Sequence, residues 1–233
     1  MLSIHHFISR LYRNSMRNTA RKNTMSHHFI AIAGNIGAGK STLTTMLAAH
    51  YGWQPFMEAN AENPYLADFY ADMQRWSFHS QVFFLGKRVE HHHQLVQFAG
   101  NVVQDRTVYE DAEIFARNLF MQGSIMDRDY ETYRRLYEAV AAFLPPPHLI
   151  VYLQSSVDTL LARIHKRGRD FEQQIDPAYL SQLNHLYDDW ITDWTRCPVL
   201  TLNMDSLDFQ HNPSDFAMIT SRLDAQMKWE GSL

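Results

Sequence analysis

Apolar positions along this chain follow two rhythms. Short unbroken apolar runs, Phe29–Ala33, Asn101–Gln104, His148–Leu153 and Pro198–Leu202, are bounded by Gly, Pro or polar residues and read as buried strands. Gln54–Glu58 is a weaker candidate for a fifth. Between them run longer segments with helical spacing. Leu43–His50 stops at Tyr51-Gly52-Trp53, and a helix entered at Asn63-Pro64 continues to Arg75. An aromatic-rich helix over Trp76–Phe98 is closed by Gly100. Helices are also predicted over Tyr109–Met121, Arg128–Leu144 (ended by Pro145-Pro146-Pro147), Val157–Lys166, Pro177–Trp194 and Asp215–Gln226. Strands alternating with helices of this length predict an α/β fold, a parallel sheet of about five strands covered by helices on both faces. No internal repeat or linker divides it.

Composition narrows the class. A chain of 233 residues with 45% hydrophobic and 20% charged residues is that of a globular α/β protein, and no apolar run is long enough to span a bilayer. The single cysteine, Cys197, excludes an internal disulfide framework and suits a reducing, cytoplasmic compartment; it reads as a small core residue beside a strand. The formal charge of -4 is unevenly spread: residues 1–28 hold Arg10, Arg13, Arg17, Arg21 and Lys22 and no acid. The remaining 16 basic against 25 acidic residues leave the body at -9, which argues against a surface for a nucleic-acid polymer. The leading segment resembles a mitochondrial transit peptide in composition. The favoured reading is an unstructured tail or a start placed ahead of Met25. Residues 29–233 are expected to form the functional domain.

Chemistry enters where the first strand meets Gly34-Asn35-Ile36-Gly37-Ala38-Gly39-Lys40-Ser41-Thr42. Gly-x-x-x-x-Gly-Lys-Ser between a strand and a helix is the pattern of a loop whose backbone N–H groups wrap phosphate oxygens. Lys40 is placed to reach the β- and γ-phosphates, the Ser41 hydroxyl to ligate Mg²⁺, and the helix N-terminus to add its positive dipole end. The motif predicts binding of a nucleoside triphosphate.

Ligands of open parallel sheets bind beyond the carboxyl ends of the strands. Two further strand ends are charged there, Glu58 and Asp105-Arg106. Glu58 is a candidate base for an attacking hydroxyl, Asp105 a candidate Mg²⁺ ligand, and Arg106 a candidate for stabilising transferring phosphoryl charge. Each alone reads equally well as a surface acid or an ion-pair member. Arg163 and Arg167 share a helix face, and Gly168 lets Arg169 turn back, an arrangement suited to a lid over a triphosphate or simply to a solvated basic helix end. Gln81, with Arg88 on the same helix face, and Asp111 with Phe115 on another helix, offer an amide edge, charges and a stacking plane. Taken singly these are ordinary structural residues.

The chain from Ile30 to its end resembles the deoxynucleoside kinases. The resemblance rests on Gly34–Thr42, Glu58 with Asn63-Pro64-Tyr65-Leu66, and Tyr70 with Arg75-Trp76-Ser77-Phe78. It continues through Gln81, Arg88, Asp105-Arg106-Thr107-Val108-Tyr109-Glu110-Asp111 and Arg163–Glu172. It implies a fold like that of P-loop NTPases with a helical Arg-rich lid, and ATP- and Mg²⁺-dependent phosphorylation of a deoxynucleoside 5′-hydroxyl in nucleotide salvage. By the same resemblance Glu58 deprotonates that hydroxyl, Arg106 lies near its oxygen and Asp105 helps hold Mg²⁺. Tyr70 and Glu172 bind the 3′-hydroxyl, Gln81 pairs with the base, Phe115 stacks on it, and Arg88 with Asp111 reads its edge. Arg163, Arg167 and Arg169 form the lid. Purine deoxynucleosides or deoxycytidine are the substrates implied, and a homodimer is a family expectation. Thr107 replaces a common Ser, Asp105 a Glu and Ala59 a Pro, all compatible with the mechanism; Ser80 replaces an aromatic residue and alters the space beside the base.

Two rivals are a nucleoside monophosphate kinase of the thymidylate type and a GTP-binding switch module. The first needs extra positive charge for an acceptor phosphate; the second lacks its guanine-reading Asn-Lys-x-Asp motif. His91-His92-His93 reads as solvated residues on a polar-faced helix rather than a metal tract. Trp190 and Trp194 read as packing residues. Tyr130, Tyr133 and Tyr137 form a stripe belonging either to the core or to a dimer surface.

Overall fold

The apolar runs pair, all in parallel, in the order β2-β3-β1-β4-β5. The computed structural model describes residues 27–57, 63–169 and 175–230. The strands are β1 (Phe29–Gly34), β2 (Gln54–Phe56), β3 (Val102–Asp105), β4 (Leu149–Gln154) and β5 (Val199–Asn203). Glu58, the last residue of the expected second strand, lies outside the described residues. β1 is central and buried at every position, its register setting Ile32 beside Asp105 and Gly34 beside Leu153.

Alternate residues of β1 feed two cores. Ala31 and Ala33 face a cluster with Leu85, Tyr109, Tyr133 and Tyr187, while Ile30 and Ile32 face one with Leu43, Leu47, Leu160 and Ile219. A strand buried on both faces has no polar side to alternate with, which is why it reads as a continuous apolar run.

The helices are α1 (Lys40–Tyr51), α2 (Leu66–Ala71), α3 (Met73–Gln97), α4 (Val108–Glu110), α5 (Arg117–Met121), α6 (Asp127–Ala141), α7 (Val157–Arg167), α8 (Pro177–Asp193) and α9 (Pro213–Glu230). Two depart from expectation. The break between α2 and α3 falls at Asp72, whose non-helical backbone and side chain, accepting from Arg75 N at 3.1 Å, cap the longer helix. The helix expected over Tyr109–Met121 is interrupted by a π-helical turn, Asp111–Ala116, between α4 and α5.

The histidine tract is not uniformly solvated. His92 is 1% exposed with its ring edge on Phe29, because α3 turns that position onto the sheet. Tyr133 and Tyr137 belong to the core, and Trp190 packs there beside Trp194. Cys197 is partly buried and accepts from Trp194 Nε1. No described helix is long and apolar enough to cross a membrane.

Candidate active site

The turn from β1 into α1 is shaped by what a side chain would strike. At Gly37 (φ 84°) a Cβ would lie 2.9 Å from both Ile164 Cγ1 and the Leu160 carbonyl, so α7 packs directly on the glycine loop. At Gly34 a Cβ would lie 3.0 Å from the Leu153 carbonyl. Asn35, almost wholly buried, fastens the loop to α8: its amide donates to Leu180 O at 3.0 Å and Asn184 Oδ1 at 2.8 Å, and its Oδ1 accepts from Ile36 N. Lys40 is buried, with Nζ 3.0 Å from Asn35 O, so the ammonium is folded back over the loop it encloses. Loop amides, the start of α1 and this ammonium together form an anion cradle.

β3 ends beside that cradle. Ser41 donates its hydroxyl to Asp105 Oδ2, while Asp105 Oδ1, on a side chain 1% exposed, has no hydrogen-bond partner among the described residues. A hydroxyl next to a carboxylate with an unused buried oxygen is the hard donor set that suits Mg²⁺. Both were expected there, and the sheet register brings them together.

Arg106 follows with φ 65°, the one non-glycine residue in the left-handed region among those described. Its N–H donates to Ile32 O at 3.1 Å, its guanidinium lies 4.3 Å from the centre of the Phe115 ring, and Nη1 is 3.5 Å from the Tyr187 hydroxyl. Phe115 and Asp111 both come from the π-helical turn, which splays them differently from an α-helix; π turns recur at functional sites. Arg88 Nε donates to Asp111 Oδ2 at 2.8 Å with both side chains buried. Gln81 is buried on α3, where Ser80 Oγ, in place of the expected aromatic, accepts from Asn63 Nδ2 at 2.9 Å.

The remaining residues divide. Tyr70 is more than half exposed on α2. The Arg163 guanidinium donates to the carbonyls of Ala38, Met204 and Leu207, so it ties the glycine loop to the segment after β5; burial holds its pKa down. Arg167 and Arg169 are exposed, on either side of Gly168 in the left-handed region. Glu58 and Glu172 lie outside the described residues.

Two residues of this region were not singled out by sequence. Burial pushes the Tyr179 hydroxyl on α8 up to about 12; the Tyr70 phenol adds to that shift, and the charge of Arg106 opposes it. Glu110 is fully enclosed, accepting from Thr107 N at 2.7 Å and Tyr187 OH at 2.9 Å. Burial raises its carboxyl pKa, against the opposing charges of Arg106 and Lys40. The Thr107-x-x-Glu110 spacing of a capping box was the available signal, and it announces only a helix start.

At the carboxyl edge of β1 and β3 the chain thus presents an anion cradle, a cation donor pair and an arginine stacked on an aromatic ring. Known proteins share this arrangement of chain. The deoxynucleoside kinase family model matches residues 30–227. The deoxyadenosine/deoxycytidine kinase of Bacillus subtilis is 37% identical over 196 residues, 83% of this chain and 90% of its own. The deoxyguanosine kinase of the same organism is 38% identical over 200 residues, 84% of this chain and 95% of its own. A structure of deoxyadenosine kinase from M. mycoides, solved with its products dCMP and a flexible dCDP, superposes with a TM-score of 0.75 at 30% identity, covering 84% of this chain and 99% of that one. With the family model matched over residues 30–227 and these relatives covering more than four fifths of the sequence, this chain belongs to the deoxynucleoside kinase family.

Proposed function

We propose that this enzyme transfers the γ-phosphoryl group of ATP to the 5′-hydroxyl of purine deoxynucleosides, deoxycytidine or both. The observation that carries the reading is the junction of Ser41 with Asp105 beside Arg106, which unites a triphosphate cradle with a second site across the edge of the sheet. The similar bacterial kinases act on deoxyadenosine, deoxycytidine and deoxyguanosine by name, and the M. mycoides enzyme has been solved with bound dATP.

The charges favour an uncharged acceptor over a nucleoside monophosphate. Arg88 is matched by Asp111, Arg106 lies on Phe115, and Arg163 is engaged by three carbonyls. In this reading the Arg88–Asp111 pair and Gln81 meet the base edge, Phe115 its face, and Tyr70 with Glu172 the 3′-hydroxyl. Mg²⁺, held by Ser41 and Asp105, would neutralise phosphate charge. Lys40 and the loop amides bind the β- and γ-phosphates, Arg106 orients the acceptor oxygen, and Arg167 and Arg169 close over the donor. Glu58, two positions beyond β2 in the sequence, takes the 5′-hydroxyl proton. Such catalysis is mostly positioning and electrostatics.

Incubation with Mg-ATP and each of the four deoxynucleosides tests this directly: 5′-monophosphate is expected from deoxyadenosine, deoxyguanosine or deoxycytidine. No product from any of them overturns the reading. Glu58→Gln is expected to lower kcat by about a hundredfold or more while nucleoside binding persists.

A further inference from the structure

The two oxygens of Glu110 do different things. Oε2 accepts from Thr107 N at 2.7 Å and Thr107 Oγ1 at 3.1 Å, closing a capping box over the start of α4. That alone would satisfy a helix end. Oε1 leaves the helix. It accepts from Gly34 N at 3.3 Å, the residue where β1 becomes the phosphate loop, and from Tyr187 OH on α8 at 2.9 Å. The Tyr187 hydroxyl in turn stands 3.5 Å from Arg106 Nη1. A fully enclosed carboxylate is costly unless several donors meet it, and here four do.

Arg106 sets the need. Its left-handed backbone, at φ 65°, is a strained conformation for a side chain with a Cβ and persists only where neighbours over-determine it. Arg106 N bonds to Ile32 O on one side of the turn, and Thr107 N to Glu110 on the other. The carboxylate that fixes this turn is also the one that holds the loop's first amide.

We infer that Glu110, through Tyr187, is a positioning residue for phosphoryl transfer, bracing the Arg106 turn of the acceptor side against the Gly34 end of the phosphate loop. The inference rests on the kinase reading above. In a reaction governed by placement, a shift of about 1 Å far from the chemistry can cost about a hundredfold in rate. Glu110 and Tyr187 are both fully enclosed, so loss of the brace is expected to act on kcat and to leave ground-state binding in place.

The test is a cycle of Glu110→Gln, Tyr187→Phe and the double variant in the full chain, with kcat, both KM values and the unfolding temperature measured for each. Glu110→Gln keeps the volume but sets an amide against the donors. It is expected to lower kcat about tenfold or more, with KM for ATP and nucleoside changing less than about twofold. Tyr187→Phe keeps the ring and is expected to lower kcat about three- to tenfold; the double variant is expected to fall no further than Glu110→Gln, because the two groups act through one link. If Glu110→Gln does not fold, Tyr187→Phe alone decides. A kcat equal to wild type with only the unfolding temperature lowered, or a raised KM at unchanged kcat, overturns the inference. Failure of the underlying kinase reading would look different, as wild-type protein that phosphorylates no deoxynucleoside.

Discussion

Arg88 on α3 and Asp111 in the π-helical turn form an ion pair at 2.8 Å with only 5% and 7% of their side chains exposed. Removing one partner of such a pair strands the other charge, at a cost of about 3–5 kcal/mol, whereas replacing both with apolar groups is often nearly neutral. Arg88→Met is therefore expected to lower the unfolding temperature by about 10 °C at the scale of a chain this long. Arg88→Met combined with Asp111→Leu is expected to recover most of that loss without restoring deoxynucleoside phosphorylation. Thermal unfolding beside kcat/KM for each nucleoside separates the two roles; a double variant that is active and has kept its base preference removes the pair from recognition.

Gly37 and Gly52 make a controlled comparison. Both are left-handed, at φ 84° and 68°, but a Cβ at Gly37 would meet the Leu160 carbonyl at 2.9 Å whereas one at Gly52 meets nothing within 4 Å. Gly52→Ala is expected to cost about 1 kcal/mol from backbone conformation alone and to leave the KM for ATP unchanged. Gly37→Ala adds a clash that must move α7 or the loop, and is expected to raise the KM for ATP about tenfold or more in the same assay. Equal effects of the two substitutions would mean that packing of α7 on the loop is irrelevant to nucleotide binding.

The elements legible in sequence were those whose physics is local. β1 and β4 announce themselves because burial on both faces removes polar alternation, and the glycine loop because only a few residue types tolerate its path. The π-helical turn at Asp111–Ala116, which packs against α3 and α8, was not legible, because its residues have ordinary helical spacing. Glu110 was hidden as well. Its partners Gly34 and Tyr187 are 76 and 77 residues away, and no local pattern encodes a bond of that reach. His92 was misread because the neighbouring His91 and His93 give the tract a polar appearance, while one position in three turns inward.

Asp105 has one oxygen engaged by Ser41 and the other without a hydrogen-bond partner among the described residues. Asp105→Asn preserves shape and an acceptor for the Ser41 hydroxyl but removes the negative charge that a divalent cation requires. The expected result is a rise of about tenfold or more in the Mg²⁺ concentration for half-maximal rate, with nucleoside KM little changed. A Mg²⁺ titration of the variant matching that of wild type would take Asp105 out of the cation site.

His92 carries a pH dependence of stability that can be isolated. Burial is the main cause that lowers its pKa from 6.5 to about 4; a hydrogen bond to the Pro145 backbone opposes the shift and the charge of Arg196 adds to it. Its Nε2 is buried without a hydrogen-bond partner among the described residues, so the folded chain holds the ring neutral. Between these two pH values the unfolded chain binds a proton that the folded chain does not, so stability falls as pH falls. The contribution is fully present above about pH 6.5, declines through the interval and is lost below about 4; its size is about 3 kcal/mol. His92→Leu removes the titration and sacrifices one hydrogen bond, a cost of about 1 kcal/mol that does not vary with pH. Denaturant unfolding of both proteins from pH 7 to pH 4 should give curves that converge as pH falls, with the variant overtaking wild type before pH 4. Parallel curves across that range would mean that His92 titrates in the folded chain as it does in the unfolded one, and that the contact with Phe29 tolerates a charge.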